Sequence, residues 1–381
     1  MVTPSSRQVY SASELDRSPL TQFISEQGAS VGIRATSAHP LRSSGARAFL
    51  QRFFPIDDAS RARTHQSGSQ VMLSRAPKES PATRIDSMSL PRIQSRRVNM
   101  TEPYGAHAPA WLDRMVIGIT SRLPDIGWDC ASQLGCAASL PCGFAPDDGL
   151  DVVRWGLRMR LHPCRNGCEK GALFIPQMYE APERAELFAE VDKARATGRT
   201  FVFVDIGANV GLFSLLVASY AGSNAKILAI EPEPENASRL RFNVSANPGI
   251  PVRVLPLALG ATAGMVVLEI NPCDRGGTRT RALTSDVPGS APIVERRSLL
   301  NLLREEEVTF IDALKIDVEG DEGAILFPFF RKADESLWPK LILIEDNSSS
   351  WGDDLFTALA KQGYVIVART KLNVIMRRAV E

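Results

Sequence analysis

The stretch FVFVDIGANVGLFSL, residues 201–215, joins two apolar runs through a turn that contains two glycines and an asparagine. The turn begins at Asp205 and holds Gly207, Asn209 and Gly211. Because glycine has no Cβ, the backbone of such a turn can lie close to a bound ligand. A carboxylate beside the turn would favour a positively charged group on that ligand. The stretch therefore predicts a binding site for a small molecule with cationic character.

The spacing of these glycines distinguishes between two kinds of nucleotide cofactor. A dinucleotide-binding fingerprint aligned from Gly207 needs glycine at positions 209 and 212. The chain has Asn209 and Leu212 there, so a nicotinamide site is disfavoured. The turn instead suits S-adenosylmethionine, a cationic cofactor that carries no phosphate. On this hypothesis the glycines let the backbone contact the cofactor, and Asp205 neutralises its methionyl ammonium.

Residues at the ends of the next two strands are placed to complete this cofactor site. Glu231 follows the apolar run AKILAI, and its carboxylate can accept hydrogen bonds from both hydroxyls of a ribose. Leu257 and Ala258 end the run VRVLPLA and are placed to line the adenine. The alternative is a purely structural role, in which the glycines only form a tight turn and Asp205 only caps a helix.

A second group of polar side chains follows the later strands. The block ALKIDVEGDE places Lys315, Asp317 and Glu319 at the end of the fourth strand, and LILIEDN places Glu345 at the end of the next. Carboxyl ends of neighbouring parallel strands lie at one edge of a sheet, so these groups converge on one mouth. We expect Asp317 to act as base or substrate orienter, and Glu319 and Glu345 to bind hydroxyls or support it.

Two groups of residues raise the question of a metal ion. Asp317 together with residues 345–347 could hold a divalent cation through oxygen ligands. His162, Cys164 and Cys168 in LHPCRNGCEK lack a usual zinc spacing and an evident fourth ligand. No metal is therefore assigned. The six cysteines of a chain without a signal-peptide pattern are expected to be free thiols.

The elements that position these residues follow a regular order from residue 200 onward. Strand-like runs alternate with helix-like runs, which is typical of a doubly wound α/β sheet. The strand runs are nearly continuous in apolar residues, as those of buried parallel strands are. Residues 364–379 contain two strands too close together for a helical crossover, so they form an antiparallel hairpin. Residues 272–297, rich in Gly, Arg and Ser, are interpreted as one long loop.

Composition divides the chain into three regions. Residues 1–100 are rich in Ser and Arg and are predicted to be a disordered arm, or to precede a true start at Met100 or Met115. Residues 101–195 are predicted to be an extension of helices and a β-hairpin. Its helices lie in APAWLDRMVIGITSRL and APERAELFAEVDKARATG, and its hairpin pairs LDVVRWGLRMRLHP, read as one strand, with GALFIPQMY. Residues 196–381 form the α/β domain.

The bulk composition limits the classes of function. The chain has 381 residues, 44% of them hydrophobic, and a formal net charge of +1, which argues against nucleic-acid binding through bulk charge. The first 100 residues carry 14 Lys and Arg against 7 Asp and Glu, so a basic region precedes an acidic one. No run is long and apolar enough for a membrane helix, and no signal-peptide pattern is present. A cytoplasmic protein without a membrane span is expected.

Three blocks of sequence together resemble those of a known family. FVDIGANVGLFSL, AIEPEPENASRLRFN and DALKIDVEGDE are similar to the signature blocks of the FkbM-type methyltransferases. The resemblance extends over about residues 160–378 and implies a class I Rossmann-like fold that uses S-adenosylmethionine. It implies that the block from Lys315 to Glu319 lies beside the transferred methyl group. It also implies that the cofactor residues are Asp205, Gly207, Asn209, Gly211 and Glu231.

The resemblance also sets the class of acceptor. Members of the family mostly methylate oxygen on small molecules, sugars or lipid-linked glycans, so an acceptor of this kind, rather than nucleic acid, is expected. Two other functions stay open. One is an oxidoreductase that binds a nicotinamide or a nucleotide sugar, which the glycine spacing disfavours. The other is a binding protein that keeps the fold without catalysis, which the full set of polar site residues disfavours.

Overall fold

The computed structural model describes residues 100–122, 149–271, 274–284, 291–348, 351 and 354–379. Residues 1–99 of the predicted arm lie outside these ranges. So do four of the six cysteines, namely Cys130, Cys136, Cys142 and Cys273.

The described chain alternates between strands and helices, with two short 3₁₀ turns at Arg275–Gly277 and Glu335–Leu337. In chain order the elements are α1 (Trp111–Thr120), β1 (Leu150–Arg154), β2 (Leu157–Leu161), α2 (Gly167–Phe174), α3 (Ala181–Ala196), β3 (Phe201–Ile206), α4 (Leu212–Ala221), β4 (Ala225–Ile230), α5 (Pro234–Ser245), β5 (Val252–Leu255), β6 (Ala258–Leu259), β7 (Gly264–Glu269), β8 (Arg279–Ala282), β9 (Ile293–Arg297), α6 (Leu299–Glu305), β10 (Ala313–Ile316), α7 (Glu322–Lys332), β11 (Leu341–Glu345), α8 (Leu355–Lys361), β12 (Tyr364–Arg369) and β13 (Asn373–Arg378).

Seven strands form the central sheet, in the order β12-β13-β11-β10-β3-β4-β5. Strands β11, β10, β3, β4 and β5 pair in parallel, whereas β13 is antiparallel to both of its neighbours. The chain proceeds from β3 to β5 on one side and then returns to β10 on the other. The strand order thus reverses between β3 and β10. This architecture confirms the predicted doubly wound, Rossmann-like sheet with a C-terminal antiparallel hairpin.

Both faces of the sheet are buried, which explains the continuous apolar runs in the sequence. Val204 and Ile206 of β3 pack in the cluster that includes α6 and α7. Phe201 and Phe203 pack in the cluster that includes α3 and α4. Burial of one such side chain stabilises the fold by about 1.5–3 kcal/mol. Because side chains alternate along a strand, Asp205 faces the same side as Phe203.

The N-terminal extension differs from the expectation in its pairing. LDVVRWGLRMRLHP is not one strand, because β1 and β2 form a tight hairpin that turns at Trp155 and Gly156, with φ of 51° and 80°. Glycine reaches this conformation at little steric cost. Val153 is exposed, while Leu150 and Val152 are buried. GALFIPQMY, expected to be the partner strand, instead lies in and after α2.

Residues 272–297 are not a plain loop. They contain β8 and β9, which join β6 and β7 in a second sheet with the order β6-β9-β7-β8. The side chains of β8 and β9 are exposed or half-buried, so these strands carry no apolar pattern that the sequence could reveal. The helix α6 that follows was also not predicted.

Helices follow β3, β4, β10 and β11, which agrees with the alternation of strands and helices that the sequence predicts. Helix α7 continues through Pro328 to Lys332, although proline removes one backbone donor from a helix. Within the part of the chain that the structure describes, no helix combines the length and the apolar character needed to cross a bilayer.

Candidate active site

A cavity of about 270 Å³ lies at the carboxyl ends of the central strands, where the strand order reverses. Ligands of doubly wound sheets bind at such a switch point. Asp205 and Gly211 are not part of its wall. The predicted site residues that do line it are Gly207, Asn209, Glu231, Ala258, Asp317, Glu319 and Glu345, and Leu257 lies beside them.

The turn after β3 is fixed by close contacts with the neighbouring strands. Gly207 has a φ of 77°, and a Cβ at this position would lie 1.8 Å from the carbonyl oxygen of Asp317. The N–H groups of Gly207 and Ala208 donate to the Ile230 carbonyl at 3.0 and 2.9 Å. Only glycine fits at position 207, so the turn lies directly against the ends of β4 and β10.

Gly211 has a packing role at the start of α4. Its φ is 87°, and a Cβ there would lie 2.2 Å from Cδ1 of Leu240 on α5. Glycine at this position therefore allows α4 and α5 to approach each other.

The buried side chain of Asp205 is not part of the cavity wall. It accepts a hydrogen bond from Ser214 Oγ at 2.6 Å, whereas its Oδ1 has no hydrogen-bond partner among the described residues. Burial raises the pKa of Asp205, and the Lys315 ammonium opposes this rise. Asp205 and Lys315 are in register on β3 and β10. Asp205 thus connects the sheet to α4 and helps to neutralise Lys315.

The Glu231 carboxylate is held in place by two backbone N–H groups. Asn209 donates to Oε2 and Glu233 donates to Oε1, both at 2.8 Å. Burial raises the pKa of Glu231 to about 8, although the two N–H donors oppose the rise. A carboxylate has about four lone-pair positions, so each oxygen keeps one for a ligand in the cavity.

Lys315 and Asp317 form a buried ion pair at the end of β10. The ammonium nitrogen lies 2.9 Å from Oδ2 of Asp317 and 5.3 Å from the centre of the Phe213 ring. Burial alone would raise the pKa of Asp317, but the Lys315 ammonium holds it below its ordinary value. Burial alone would lower the pKa of Lys315, but the charges of Asp317, Asp205 and Glu180 raise it. Both groups are therefore charged at neutral pH.

Three carboxyl groups meet where β10 and β11 end. Asp317, Glu319 and Glu345 each have an oxygen within 4.8 Å of the others. Burial and the neighbouring Asp317 charge raise the pKa of Glu345 to about 8. Burial also raises the pKa of Glu319, whose φ of 58° is uncommon for a residue other than glycine. At neutral pH Asp317 is ionised and Glu345 is protonated, so the two groups share one proton.

Several polar residues of the wall were not predicted from the sequence, and two of them, Glu180 and Asn373, contact each other. Glu180 precedes α3, and Asn373 is opposite Glu345 in the register of β11 and β13. Asn373 Nδ2 donates to Glu180 Oε2 at 3.2 Å, and burial raises the pKa of Glu180 to about 7. Pairing of the C-terminal hairpin with β11 would have placed Asn373 beside Glu345 at the edge of the sheet. No local pattern marks Glu180.

Of the two groups of candidate metal ligands, the structure brings only carboxyl groups at the ends of β10 and β11 close together. Among the described residues, Asp317, Glu319 and Glu345 form the one group of acidic, His or Cys side chains close enough to share a cation. Asp346, which follows Glu345, instead pairs with Arg369 at 3.0 Å. The candidate zinc ligands near residue 165 do not form such a group.

Comparison with known proteins identifies the family. A family model for the methyltransferase FkbM domain matches residues 205–366. Methyltransferase sdnD from Sordaria araneosa is 32% identical over 183 residues, which cover 40% of this chain and 68% of that protein. The chain belongs to the FkbM methyltransferase family. The resemblance found in the sequence is thereby confirmed.

Two other proteins match this FkbM methyltransferase at lower sequence identity. Hexuronic acid methyltransferase AglP from Haloferax volcanii is 28% identical over 127 residues, which cover 33% of this chain and 48% of AglP. The match to the crystal structure of monomeric WbdD covers 51% of this chain and 40% of the WbdD chain, with 16% identity and a TM-score of 0.31. The chain thus spans less than half the length of AglP and of WbdD.

The family match divides the wall of the cavity into two parts. Every site residue that was predicted from the sequence lies within residues 205–366. Glu180 and Asn373 lie outside this range. Residues that precede the matched region and residues that follow it thus complete the cavity of this FkbM methyltransferase.

Proposed function

We propose that this FkbM methyltransferase transfers the methyl group of S-adenosylmethionine to a hydroxyl oxygen of a small molecule, sugar or glycan. The observation that carries the proposal is that Glu231 and the Asp317–Glu345 pair line one cavity at the switch point of the sheet. A cofactor whose ribose is bound at Glu231 can extend toward the pair. An acceptor hydroxyl beside the pair would then face the methyl group.

The charge of the cavity wall supports a cationic cofactor. Its one basic side chain among the described residues, Arg275, is paired with Glu233 and Glu235. The described wall thus offers no unpaired basic side chain for the pyrophosphate of a dinucleotide, whereas those of its carboxyl groups that are ionised stabilise a sulfonium. The acidic residues of the wall are Glu180, Glu231, Asp274, Asp317, Glu319, Asp321 and Glu345.

The wall also suits the uncharged parts of this cofactor. Glu231 would accept hydrogen bonds from the ribose hydroxyls through the lone pairs that its two backbone donors leave. Leu257 and Ala258 would line the adenine, and Gly207 would leave its backbone accessible beside the methionyl part. When bound, the cofactor supplies a methyl group activated by the adjacent sulfonium.

The carboxyl pair offers a place for the proton of the acceptor. A hydroxyl that donates a hydrogen bond to Asp317 directs a lone pair of its oxygen away from that carboxylate, toward the cavity. Alignment of the nucleophile with the methyl group and sulfur is the main requirement of the reaction. As the new carbon–oxygen bond forms, the proton passes to the pair of Asp317 and Glu345.

The surroundings of the pair also bear on the acceptor. Glu180 and Glu319 lie close to it, so a second negative charge beside the reacting hydroxyl would be destabilised. The name of AglP gives a hexuronic acid as its substrate, which supports a sugar as the acceptor class. The acidic wall favours a sugar that is neutral near the methylated position.

Cofactor binding and methyl transfer can be tested separately. Isothermal titration calorimetry should detect binding of S-adenosylhomocysteine but not of NAD. Methyl transfer from labelled S-adenosylmethionine to a fractionated cell extract should then label small molecules, sugars or glycans. A folded protein that binds no S-adenosylhomocysteine would contradict the cofactor assignment, and label found only in protein or nucleic acid would contradict the acceptor class.

Cofactor binding should strengthen as the pH rises toward 8. The ligand-free Glu231 carboxyl has a pKa raised to about 8 by burial, and its ionised form is the better acceptor for ribose hydroxyls. Below this pH, binding must displace the proton, so the dissociation constant should increase by up to about tenfold per pH unit. Calorimetry in buffers of different ionisation enthalpy measures both the affinity and the released proton.

The raised pKa of Glu231 has the opposite effect on the folding stability of the ligand-free protein, which decreases as the pH rises. The stability that the protonated Glu231 contributes is present below its ordinary pKa of 4.5 and is lost as the pH rises through about 8. The variant Glu231→Gln is the control, because its weaker binding should not vary with pH over this range. A wild-type affinity that is constant between pH 6 and pH 8 would disprove the role of Glu231.

Activity should not depend on a divalent cation. The Lys315 ammonium, 2.9 Å from Asp317, already supplies the positive charge beside this carboxylate, and the proton on Glu345 removes a further negative charge. Dialysis against EDTA should therefore leave the initial rate of methyl transfer unchanged. Loss of activity that Mg²⁺ restores would instead assign the three carboxylates to a metal site.

A further inference from the structure

A short segment between β7 and β8 covers one side of the cavity. This segment, residues 274–278, forms a strap. It contains the 3₁₀ turn Arg275–Gly277. Asp274, Arg275, Gly276 and Thr278 all line the cavity. The strap therefore lies where a bound nucleoside would contact it.

One end of the strap is attached to the loop before α2. The backbone N–H of Arg275 donates to the carbonyl of Arg165 at 2.9 Å. The backbone N–H of Gly167 donates to Oδ1 of Asp274 at 3.2 Å. These contacts connect residues more than a hundred positions apart in the sequence. The strap is thus fixed to the N-terminal extension.

The other attachment is an ion-pair cluster at the start of α5. The Arg275 guanidinium contacts Oε1 of Glu233 at 2.9 Å and Oε2 of Glu235 at 2.5 Å. The side-chain amide of Asn236 donates to the Arg275 carbonyl at 3.2 Å. Glu233 is also the residue whose N–H orients the Glu231 carboxylate. Arg275 therefore links the strap to the loop that holds the expected ribose acceptor.

The strap also approaches the turn after β3 closely. A Cβ on Gly276 would lie 3.3 Å from Nδ2 of Asn209, and a Cβ on Gly277 would lie 3.7 Å from Oε1 of Glu319. Larger side chains at position 276 would press on the turn. The strap thus passes between the cofactor turn and the carboxylate cluster.

We propose that Arg275 is a positioning residue that holds the strap over the bound cofactor by pairing with Glu233 and Glu235. The proposal rests on the proposed function, because it assigns the cofactor to this cavity. Release of the cofactor then requires the strap to separate from α5, so the ion pairs slow dissociation.

The rate of S-adenosylhomocysteine dissociation tests this directly. In the variant Arg275→Ala it should increase by about tenfold or more, because loss of one partner of a largely buried ion pair acts mainly on dissociation. Arg275→Lys keeps the charge but not the paired N–H groups, so its rate should lie between those of the wild type and the alanine variant. Stopped-flow displacement measures all three rates.

Arg281→Ala is the matched control. Arg281 is on β8, close to the strap in the sequence, and pairs with Glu269 at 2.8 Å, but it does not line the cavity. This variant should dissociate S-adenosylhomocysteine at the wild-type rate. Thermal melting without ligand establishes that each variant is folded.

The outcomes separate this proposal from the one on which it rests. Wild-type protein that does not bind S-adenosylhomocysteine would overturn the cofactor assignment and this proposal together. A wild type that binds, with a folded Arg275→Ala variant that dissociates at the wild-type rate, would overturn the role of Arg275 alone. Equal acceleration in Arg275→Ala and Arg281→Ala would also overturn it, since the effect would then not depend on the contacts with α5. Partial rescue by lysine supports it.

Discussion

Replacement of Glu231 by alanine should weaken the binding of S-adenosylhomocysteine by about two orders of magnitude or more. The wild-type carboxylate can accept a hydrogen bond from each ribose hydroxyl, and a hydrogen bond to a charged group contributes about 1.5–3 kcal/mol. Loss of two such bonds corresponds to about 3–6 kcal/mol, and about 1.4 kcal/mol is a tenfold change in affinity. Isothermal titration calorimetry at pH 8 measures the difference.

The variant needs a control for its effect on the fold. Without Glu231, the N–H groups of Asn209 and Glu233 lose their acceptor, so thermal melting must establish that the variant is folded. Glu269→Ala is the matched variant, because Glu269 pairs with Arg281 at 2.8 Å outside the cavity and should bind normally. If folded Glu231→Ala bound S-adenosylhomocysteine as tightly as the wild type, the ribose could not lie at this carboxylate.

The residues at the expected cofactor end could be predicted because each directly follows a parallel strand. Gly207 and Asn209 lie in the turn after β3, and Glu231 follows β4. Parallel strands bring their carboxyl ends to one edge, so the connectivity alone places these residues together. The structure adds the reason for glycine at 207, which is the approach of the Asp317 carbonyl. The residue types suggested the turn, but that contact depends on β10, more than a hundred residues later.

The direction of the Asp205 side chain could not be predicted in this way. Its place at the end of β3 suggested a carboxylate in the cavity, yet its side chain is on the face that packs against α3 and α4. A strand buried on both faces is apolar on both, so its sequence does not tell which face an alternate residue occupies. The pairing of Asp205 with Ser214 requires the position of α4, which only the folded structure gives.

The wall around the carboxyl pair was predicted only in part for a related reason. Asp317 directly follows β10 and Glu345 ends β11, so their positions at the edge of the sheet could be predicted. Glu180 and Asn373 come from the segment before α3 and from an antiparallel strand, and they reach the wall through tertiary packing. Neither position belongs to a local motif. The sequence thus predicted that Asp317 and Glu345 lie together in the wall, but not the residues that enclose them.

The fold could also be predicted only in part. The continuous apolar runs gave the central parallel strands and the C-terminal hairpin, because deep burial on both faces leaves a strong pattern. The hairpin of β1 and β2 was misread as one strand, since its alternation continues across the turn at Trp155 and Gly156. Strands β8 and β9 were missed because their side chains are largely accessible, so hydrogen bonding to β7 rather than burial defines them.

Replacement of Asp317 by asparagine should lower the rate of methyl transfer at saturating cofactor by about 10²–10⁴-fold, the usual contribution of a positioned base. The amide cannot accept the proton of the acceptor hydroxyl, and it leaves Lys315 beside a neutral group. Binding of S-adenosylhomocysteine should change far less than the rate. The measurement is the initial rate of label transfer to the acceptor fraction. Asp346→Asn is the control, because Asp346 pairs with Arg369 and is outside the wall.

The pH dependence of the same rate separates the base from a merely structural carboxylate. Burial and the Asp317 charge raise the pKa of Glu345 to about 8, so below this pH the pair already holds a proton. At saturating cofactor, the wild-type rate should therefore rise with pH and level off above about 8. Glu345→Gln keeps a hydrogen-bond donor beside Asp317 but cannot titrate, so its rate should be lower and constant between pH 6 and pH 8. A wild-type rate that is flat over this range, or an Asp317→Asn variant as active as the wild type, would mean that the proton leaves by another route.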